Sequence, residues 1–379
     1  MKGESIGKAP WIRLSKRGPM PVWQTIGVRV LALLVALAVN ALIIYAVVKM
    51  NPVKVYQAMF EGSFGTNKRM WVMIRDTMML LCVGVGLAPA FKMRFWNIGA
   101  EGQILVGGIV AAACMIYLPA SGVSSGAALV IMALASLLAG AVWGGIPALF
   151  KAHWNTNETL FTLMMNYVAI QLTSFFVAQW EKPYGSNSVG IINQKDNFGW
   201  LPPVFGQAYA LNVIIILTIA IGMYLYLRYT KQGYEIAVVG ESENTARYVA
   251  INVKRVILRT MLISGGICGF AGFIAVSGAS HTISVSTASG QGFVAIIVAW
   301  LSNFNSFLML LVSGLLVFLE KGAIEIASRY NLSDYVSKML TGVILFSILG
   351  SEFFINFKLH LRKRTPKHDD PLERGEELA

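Results

Sequence analysis

Residues 208–260 decide the reading. They run Ala208-Tyr-Ala-Leu-Asn-Val-Ile-Ile-Ile-Leu-Thr-Ile-Ala-Ile-Gly-Met-Tyr-Leu-Tyr-Leu227 and continue as Arg228-Tyr-Thr-Lys-Gln-Gly-Tyr-Glu-Ile-Ala-Val-Val-Gly240-Glu-Ser-Glu-Asn-Thr-Ala-Arg-Tyr-Val-Ala-Ile-Asn252-Val-Lys-Arg-Val-Ile-Leu-Arg-Thr260. The first part is apolar for roughly 20 residues, the length that crosses a hydrocarbon core as a helix. The second is the one long charged stretch between apolar runs that also reads as partly helical. Lipid ends and water begins near Leu227.

Composition extends that contrast to the whole chain. Of 379 residues, 56% are hydrophobic and 13% are charged, against about 25% charged in soluble domains. This is the composition of a polytopic membrane protein. The net charge of +12 does not point to nucleic acid, because Lys and Arg gather beside the ends of apolar runs, where they set orientation toward the cytoplasm. Cys82, Cys114 and Cys268 lie inside apolar runs without metal-ligand spacing and read as small buried hydrophobes.

Working outward, ten apolar runs read as spans: Ile26–Val48, Trp71–Ala90, Phe95–Leu118, Gly126–Phe150, Glu158–Gln179, Ala208–Leu227, Val256–Val276, Gly290–Asn303, Ser306–Leu319 and Met339–Phe357. The first is too long for a signal-peptide core, and Lys2, Lys8, Arg13, Lys16 and Arg17 before it place the N-terminus inside. The domain reading is a cytoplasmic tail over 1–25, a transmembrane domain over 26–357 with an external loop at 180–207 and a cytoplasmic segment at 228–255, and a cytoplasmic tail over 358–379. Lys68, Arg69 and Arg75 are the main blemish on the charge pattern. Arg75 and Asp76 are adjacent, and neighbours one apart do not face each other on a helix, so both are expected to reach the headgroup region separately.

Candidate polar chemistry inside the apolar runs is sparse. Glu101, in Phe95-Trp-Asn-Ile-Gly-Ala-Glu-Gly-Gln103, reads as one and a half turns into its span, either bonded to nearby backbone or paired with Lys92 or Arg94. Asn97, Gly99 and Gly102 suit a break in that helix, where freed backbone groups bind a polar ligand. Asn157 and Glu158 read as a helix cap with favourable dipole placement. Asn166 and Tyr167 lie at mid-span and need partners there, through interhelical hydrogen bonds or by lining a pore. Ser277–Gly292 is polar without charge, and such backbone survives at membrane depth only against protein or water, so Ser289 and Gln291 join Asn97, Glu101, Gln103, Asn166 and Tyr167 as candidates for a solute path. Gly102-Gln103 and Gly290-Gln291 each open an apolar run, a faint hint of two related halves. In the charged stretch, Gly233–Gly240 reads as extended or turn-like, followed by a capped short helix from Ser242 with Ala246, Val249 and Ala250 on one face. Clustered catalytic or metal-binding side chains and the Gly-rich phosphate loop are not found, so this chain is expected neither to be an enzyme nor to hold ATP itself.

Three stretches carry a resemblance: Phe95–Gln103, Asn157-Glu-Thr-Leu-Phe-Thr-Leu-Met-Met-Asn-Tyr167 and Lys231–Ile251. In order and spacing the chain from about residue 70 resembles the permease subunits of ATP-binding-cassette importers for branched-chain amino acids, simple sugars and nucleosides, and most of all the nucleoside (guanosine-type) permeases. The resemblance implies an all-α bundle of about ten transmembrane helices, type II-like, in the bacterial plasma membrane with both termini cytoplasmic. It implies uptake of nucleosides or related simple sugars by alternating access. The implied partners are cytoplasmic ATPase subunits that carry ATP and Mg, a second permease subunit (identical or sister), and a binding protein or lipoprotein that delivers the solute. Carried onto this chain, the ATPase-coupling region holds Gly233, Tyr234, Glu235, Gly240, Ala246, Arg247 and Tyr248. Ala237 stands where relatives usually have Arg, and Val249-Ala250 replaces a more usual Ala-Gly. The rival class is an ion-coupled secondary transporter of a small polar solute.

Overall fold

The computed structural model describes residues 12–18, 21–49 and 51–331, isolated positions from 333 to 355, and the strand Phe357–Leu361. The chain divides into two units, Met1–Val55 with Ser333–Ala379, and Tyr56–Leu332. The first unit holds α1 (Val22–Ile43), on which the expected first span falls together with the π-turn after it. It also holds a two-stranded antiparallel sheet of β1 (Ile12–Lys16) and β2 (Phe357–Leu361), in register from Ile12 opposite Leu361 to Lys16 opposite Phe357. β2 alternates apolar and polar residues throughout and β1 does so from Ile12 to Ser15, the period-2 pattern of a strand, and their sequences were not anticipated to pair. Much of the expected tenth span, and all of 362–379, lie outside the described residues.

The second unit is all-helical: α2 (Pro52–Phe64, which straddles the division), α3 (Asn67–Lys92), α4 (Ala100–Tyr117), α5 (Ser125–Trp154), α6 (Glu158–Trp180), α7 (Ala210–Tyr229), α8 (Lys231–Glu241), α9 (Glu243–Tyr248), α10 (Val253–Ala275), α11 (Gln291–Leu301) and α12 (Ser306–Arg329). Among the described residues, seven helices are long and apolar enough to cross a membrane: α3, α4, α5, α6, α7, α10 and α12, with α4 and α10 each prolonged by a tighter or looser turn. Side-chain caps start several of these and also α8: Thr66 on Arg69 N–H, Asn157 on Leu160 N–H and Asn252 on Arg255 N–H, and for α8 Thr230 on Gly233 N–H. The Asn157 cap with Glu158 in the first turn was expected from sequence, and Lys151 completes it at 2.9 Å.

At the centre, α10 is closed in by α5, α4 and α3. Glycines make this approach. A Cβ on Gly107 or Gly272 would collide with the carbonyl of Gly269 or Ile104, and one on Gly140 or Gly265 would meet the other's carbonyl. Ser136 adds a 2.9 Å bond from its hydroxyl to the Gly107 carbonyl. In lipid, helix association comes from close packing and hydrogen bonds, and small residues permit it.

Two readings are corrected here. Residues 93–99 are not helical, so α4 begins at Ala100, later than expected. Residues 233–240 are helical throughout: Gly233, Ile236 and Gly240 recur at i, i+3 and i+7, and with Val239 they form the buried face of α8. The two glycines serve close approach rather than a turn, since a Cβ on Gly233 would meet the carbonyls of Tyr226 and Leu227, and one on Gly240 the carbonyl of Lys92.

Candidate functional site

One end of the bundle carries α8 and α9; the other carries the 181–209 loop. That loop is structured as expected. Trp200 stacks on His281 at 3.7 Å, Trp180 donates to Tyr117 Oη at 3.0 Å, Asn193 donates to the Met115 carbonyl at 2.6 Å, and the His281 carbonyl accepts from Ile192 N–H. The chain beyond His281 then turns back into the bundle and reaches Gly290 beside the first turn of α4. From there α11 runs for 11 residues, about 16 Å at the helical rise and half of a hydrocarbon core of about 30 Å. Its far end stacks Trp300 on Trp96 at 5.4 Å, near the α8–α9 end. It is a half-membrane helix, and the expected eighth span is its tip and body.

Above it, toward the loop end, lies a cavity of about 510 Å³ walled by α3, the end of α10, residues 279–291, α11 and α12. Ser280, Thr282, Ser284, Ser286, Thr287 and Ser289 line it together with Gln291. From α3 and α12 it is lined by four ionisable residues, Arg75, Asp76, Glu320 and Lys321. Asp76 accepts from Arg75 at 2.7 Å and from Lys321 at 2.6 Å, and Arg75 also reaches Tyr209 Oη at 3.4 Å, its guanidinium 5.0 Å from that ring. The expectation that Arg75 and Asp76 stay apart is therefore overturned. Neighbouring Cβ atoms diverge, but the long guanidinium stem curls back to its neighbour's carboxylate, and Lys321 from α12 holds that carboxylate from the other side. The same end pairs Arg69 with Glu325 at 3.1 Å and Arg329 with Glu61 at 2.5 Å, so two of the three cations that spoiled the charge pattern, Arg69 and Arg75, have local carboxylates. The hydrogen bond from Arg329 holds the Glu61 carboxyl below its usual range, helped by one from Gln57.

Of the seven residues proposed for a solute path, Ser289 and Gln291 line this cavity and the others do not. Asn97 and Gln103 are fully buried and bonded to each other, with Asn97 also donating to Ser264 Oγ at 3.3 Å and accepting from Gly99 N–H at 3.0 Å. Asn166 accepts from Gly102 N–H and donates to the Ile98 carbonyl, both at 2.9 Å, so it binds helix to helix. Tyr167 is 60% exposed on the outer face of α6, because the residue after an inward one on a helix points about 100° away. Glu101 sits in the first turn of α4 and is bound neither to Lys92 nor to Arg94. Its carboxylate accepts from Gly290 N–H at 2.7 Å and Gly292 N–H at 2.9 Å. The two Gly-Gln openings noted in the sequence thus meet: the start of α4 caps the start of α11.

Sequence reasoning missed Asp76, Glu320 and Lys321 as site residues. The signal was present as two adjacent opposite-charge pairs inside apolar helices, but ending the ninth span at Leu319 put the second pair outside its helix, which in fact continues to Arg329.

At the α8–α9 end, Tyr234, Tyr248 and Val249 are exposed at 65%, 91% and 56%, and Arg247 is held loosely by Glu243 at 3.5 Å. A cleft of about 210 Å³ opens beside them, lined by Met93, Arg94, Lys151, Glu158, Ser242 and Glu243 among others. Gly233, Gly240 and Ala246, named from sequence as contact positions, are buried within the chain, and Glu235 is paired internally with Arg259 at 3.0 Å. The stripe of Ala246, Val249 and Ala250 is not one helical face, since α9 ends at Tyr248 and Ala250 is left-handed.

The family described as branched-chain amino acid transport system permease component matches residues 70–349, the helix bundle with its polar cavity. The chain belongs to that family, whose members are membrane components of ABC importers, and it is an integral membrane protein. It is 26% identical to the glucose ABC transporter permease protein of Haloferax volcanii, over 96% of this chain and 97% of that protein. It is 28% identical to the guanosine ABC transporter permease protein of Bacillus subtilis, over 89% and 96%, and 23% identical to a nucleoside ABC transporter permease protein of Lactococcus lactis, over 86% and 91%. No solved structure matches the chain.

Proposed function

We propose that this chain is the solute-conducting subunit of an importer for nucleosides, with simple sugars as the second class, working by alternating access powered by ATP hydrolysis on separate subunits. The observation that carries the reading is the cavity. Its volume of about 510 Å³ falls in the roughly 300–1,000 Å³ range of small-molecule sites. Its hydroxyl-rich wall and its two charges of each sign suit an uncharged solute with many hydrogen-bonding groups. Guanosine and nucleoside permeases among the relatives support a nucleoside; the glucose permease supports the sugar alternative.

In this reading α8 and α9 face the cytoplasm, the 181–209 loop faces outward, the membrane is the plasma membrane, and both termini are cytoplasmic. Tyr234, Arg247, Tyr248 and Val249 form the surface that a cytoplasmic ATPase grips, while Gly233, Glu235, Gly240 and Ala246 support it from beneath. ATP and Mg sit on that partner; a second permease subunit, identical or sister, and a solute-binding protein complete the assembly.

The test is uptake of radiolabelled guanosine and glucose by cells expressing the full transporter. Guanosine uptake should disappear on deletion of this chain and on ATP depletion, persist with a protonophore when ATP is maintained, and fall at least tenfold with Arg247→Glu. Guanosine uptake indifferent to the deletion defeats the nucleoside assignment, and collapse with the protonophore alone indicates an ion-coupled carrier instead.

A further inference from the structure

We propose that Glu101 is the positioning residue for the floor of this cavity: it never touches the solute, and it sets where Ser289 and Gln291 stand. The inference rests on the reading of the cavity as the solute site.

The geometry is a clamp on three residues. Both carboxylate oxygens of Glu101 are used, one by Gly290 N–H and one by Gly292 N–H, and Gln291 lies between those two glycines. Glu101 itself is 8% exposed and does not line the cavity. Its neighbour across the contact has to be glycine, because a Cβ at Gly292 would come within 2.5 Å of Glu101 N. Ser289 and Gly290 are both left-handed, at φ 47° and 75°, and for a residue with a Cβ that conformation is uncommon and persists where surrounding contacts enforce it. The clamp is such a contact. Gln291 Oε1 is buried and has no hydrogen-bond partner among the described residues, so the clamped residue carries an unused acceptor.

The chemistry requires a carboxylate. The two N–H groups belong to the cap residue, Gly290, and to Gly292 in the first turn of α11, where helix donors are free and negative charge is favoured. A carboxylate accepts at both oxygens, whereas an amide presents NH₂ at one of them and turns one contact into donor against donor. Glu101→Gln therefore keeps size and shape and breaks one arm. The floor then moves relative to the charged wall, and a solute held between the two loses alignment.

The experiment uses the full chain in two formats. In detergent, with Cys114→Ala and with Cys82 and Cys268 left in place because they are buried, Ser289→Cys is modified with a small charged methanethiosulfonate. Glu101→Gln should raise that rate at least about threefold, since losing a charge-assisted bond loosens the turn. In proteoliposomes with the ATPase, permease partner and binding protein, the same variant with native Ser289 should raise KM for guanosine roughly three- to tenfold with Vmax within about twofold, the pattern of lost solute binding. If Glu101→Gln fails to fold, Glu101→Asp, which keeps the charge and shortens the reach, carries the same two readouts. An unchanged modification rate overturns the clamp. A faster rate with unchanged KM overturns the link from floor to solute. If the wild-type assembly moves neither guanosine nor glucose, the solute assignment fails while the modification rate still decides the clamp.

Discussion

Asn166 and Tyr167 are adjacent and both polar, yet they have opposite roles. Asn166 is 3% exposed and ties α6 to the backbone at Ile98 and Gly102 with two bonds; Tyr167 points away from the bundle. Removing a side chain that satisfies buried backbone groups leaves them unpaired, at about 1–3 kcal/mol. Asn166→Ala should therefore lower the unfolding temperature of the detergent-solubilised protein by several degrees, while Tyr167→Phe leaves it unchanged to within about a degree. Equal effects would show that Asn166 does not hold α6 in place. The sequence located a polar pair at mid-span but not which member faced inward, because direction on a wheel is known only when the apolar stripe is one-sided, and α6 is apolar nearly all round.

Among the elements, the 181–209 loop and the segment at the end of α10 are held together by the stack of Trp200 on His281 and by bonds from Ile192 N–H to the His281 carbonyl, from Leu201 N–H to the Ser277 carbonyl and from the Ser277 hydroxyl to the Gly199 carbonyl. Burial pushes the His281 imidazole below its ordinary value, against a smaller upward pull from the Ser277 backbone. The folded form thus binds fewer protons than the unfolded one in the window below about 6.5. Stability from this site is complete above that pH and is lost as pH falls through the folded value. Wild-type unfolding temperature should decline from pH 6.5 toward pH 5 more steeply than that of His281→Asn, which tolerates the left-handed backbone and does not titrate there. Identical slopes would remove His281 from the account. The loop was legible as structured from its Pro, Gly and Trp content. The half-membrane helix was not: a short apolar run after a polar one looks like an incomplete span, and its completion depends on Glu101, 189 residues away.

At the scale of the molecule, α3 and α12 meet at Asp76 and Lys321 over the cavity, and these side chains are 17% and 26% exposed. Partial exposure and the competing bond from Arg75 keep the pair modest. A double-mutant cycle with Asp76→Asn and Lys321→Gln should give a coupling of about 1 kcal/mol; additive losses would mean that the charges contact without stabilising. The overall class was plain from composition and apolar run lengths, since lipid imposes helices on any such sequence. The cavity was hidden because its charged wall comes from helices 245 positions apart, Asp76 and Lys321, which no local pattern connects. The glycine seam between α4, α5 and α10 sets a boundary on any motion. Helices whose backbones touch have no side-chain layer to act as a bearing, so they travel as a single casting. Any rearrangement of this bundle must occur around that casting, and two captured states of this protein should superpose on it first.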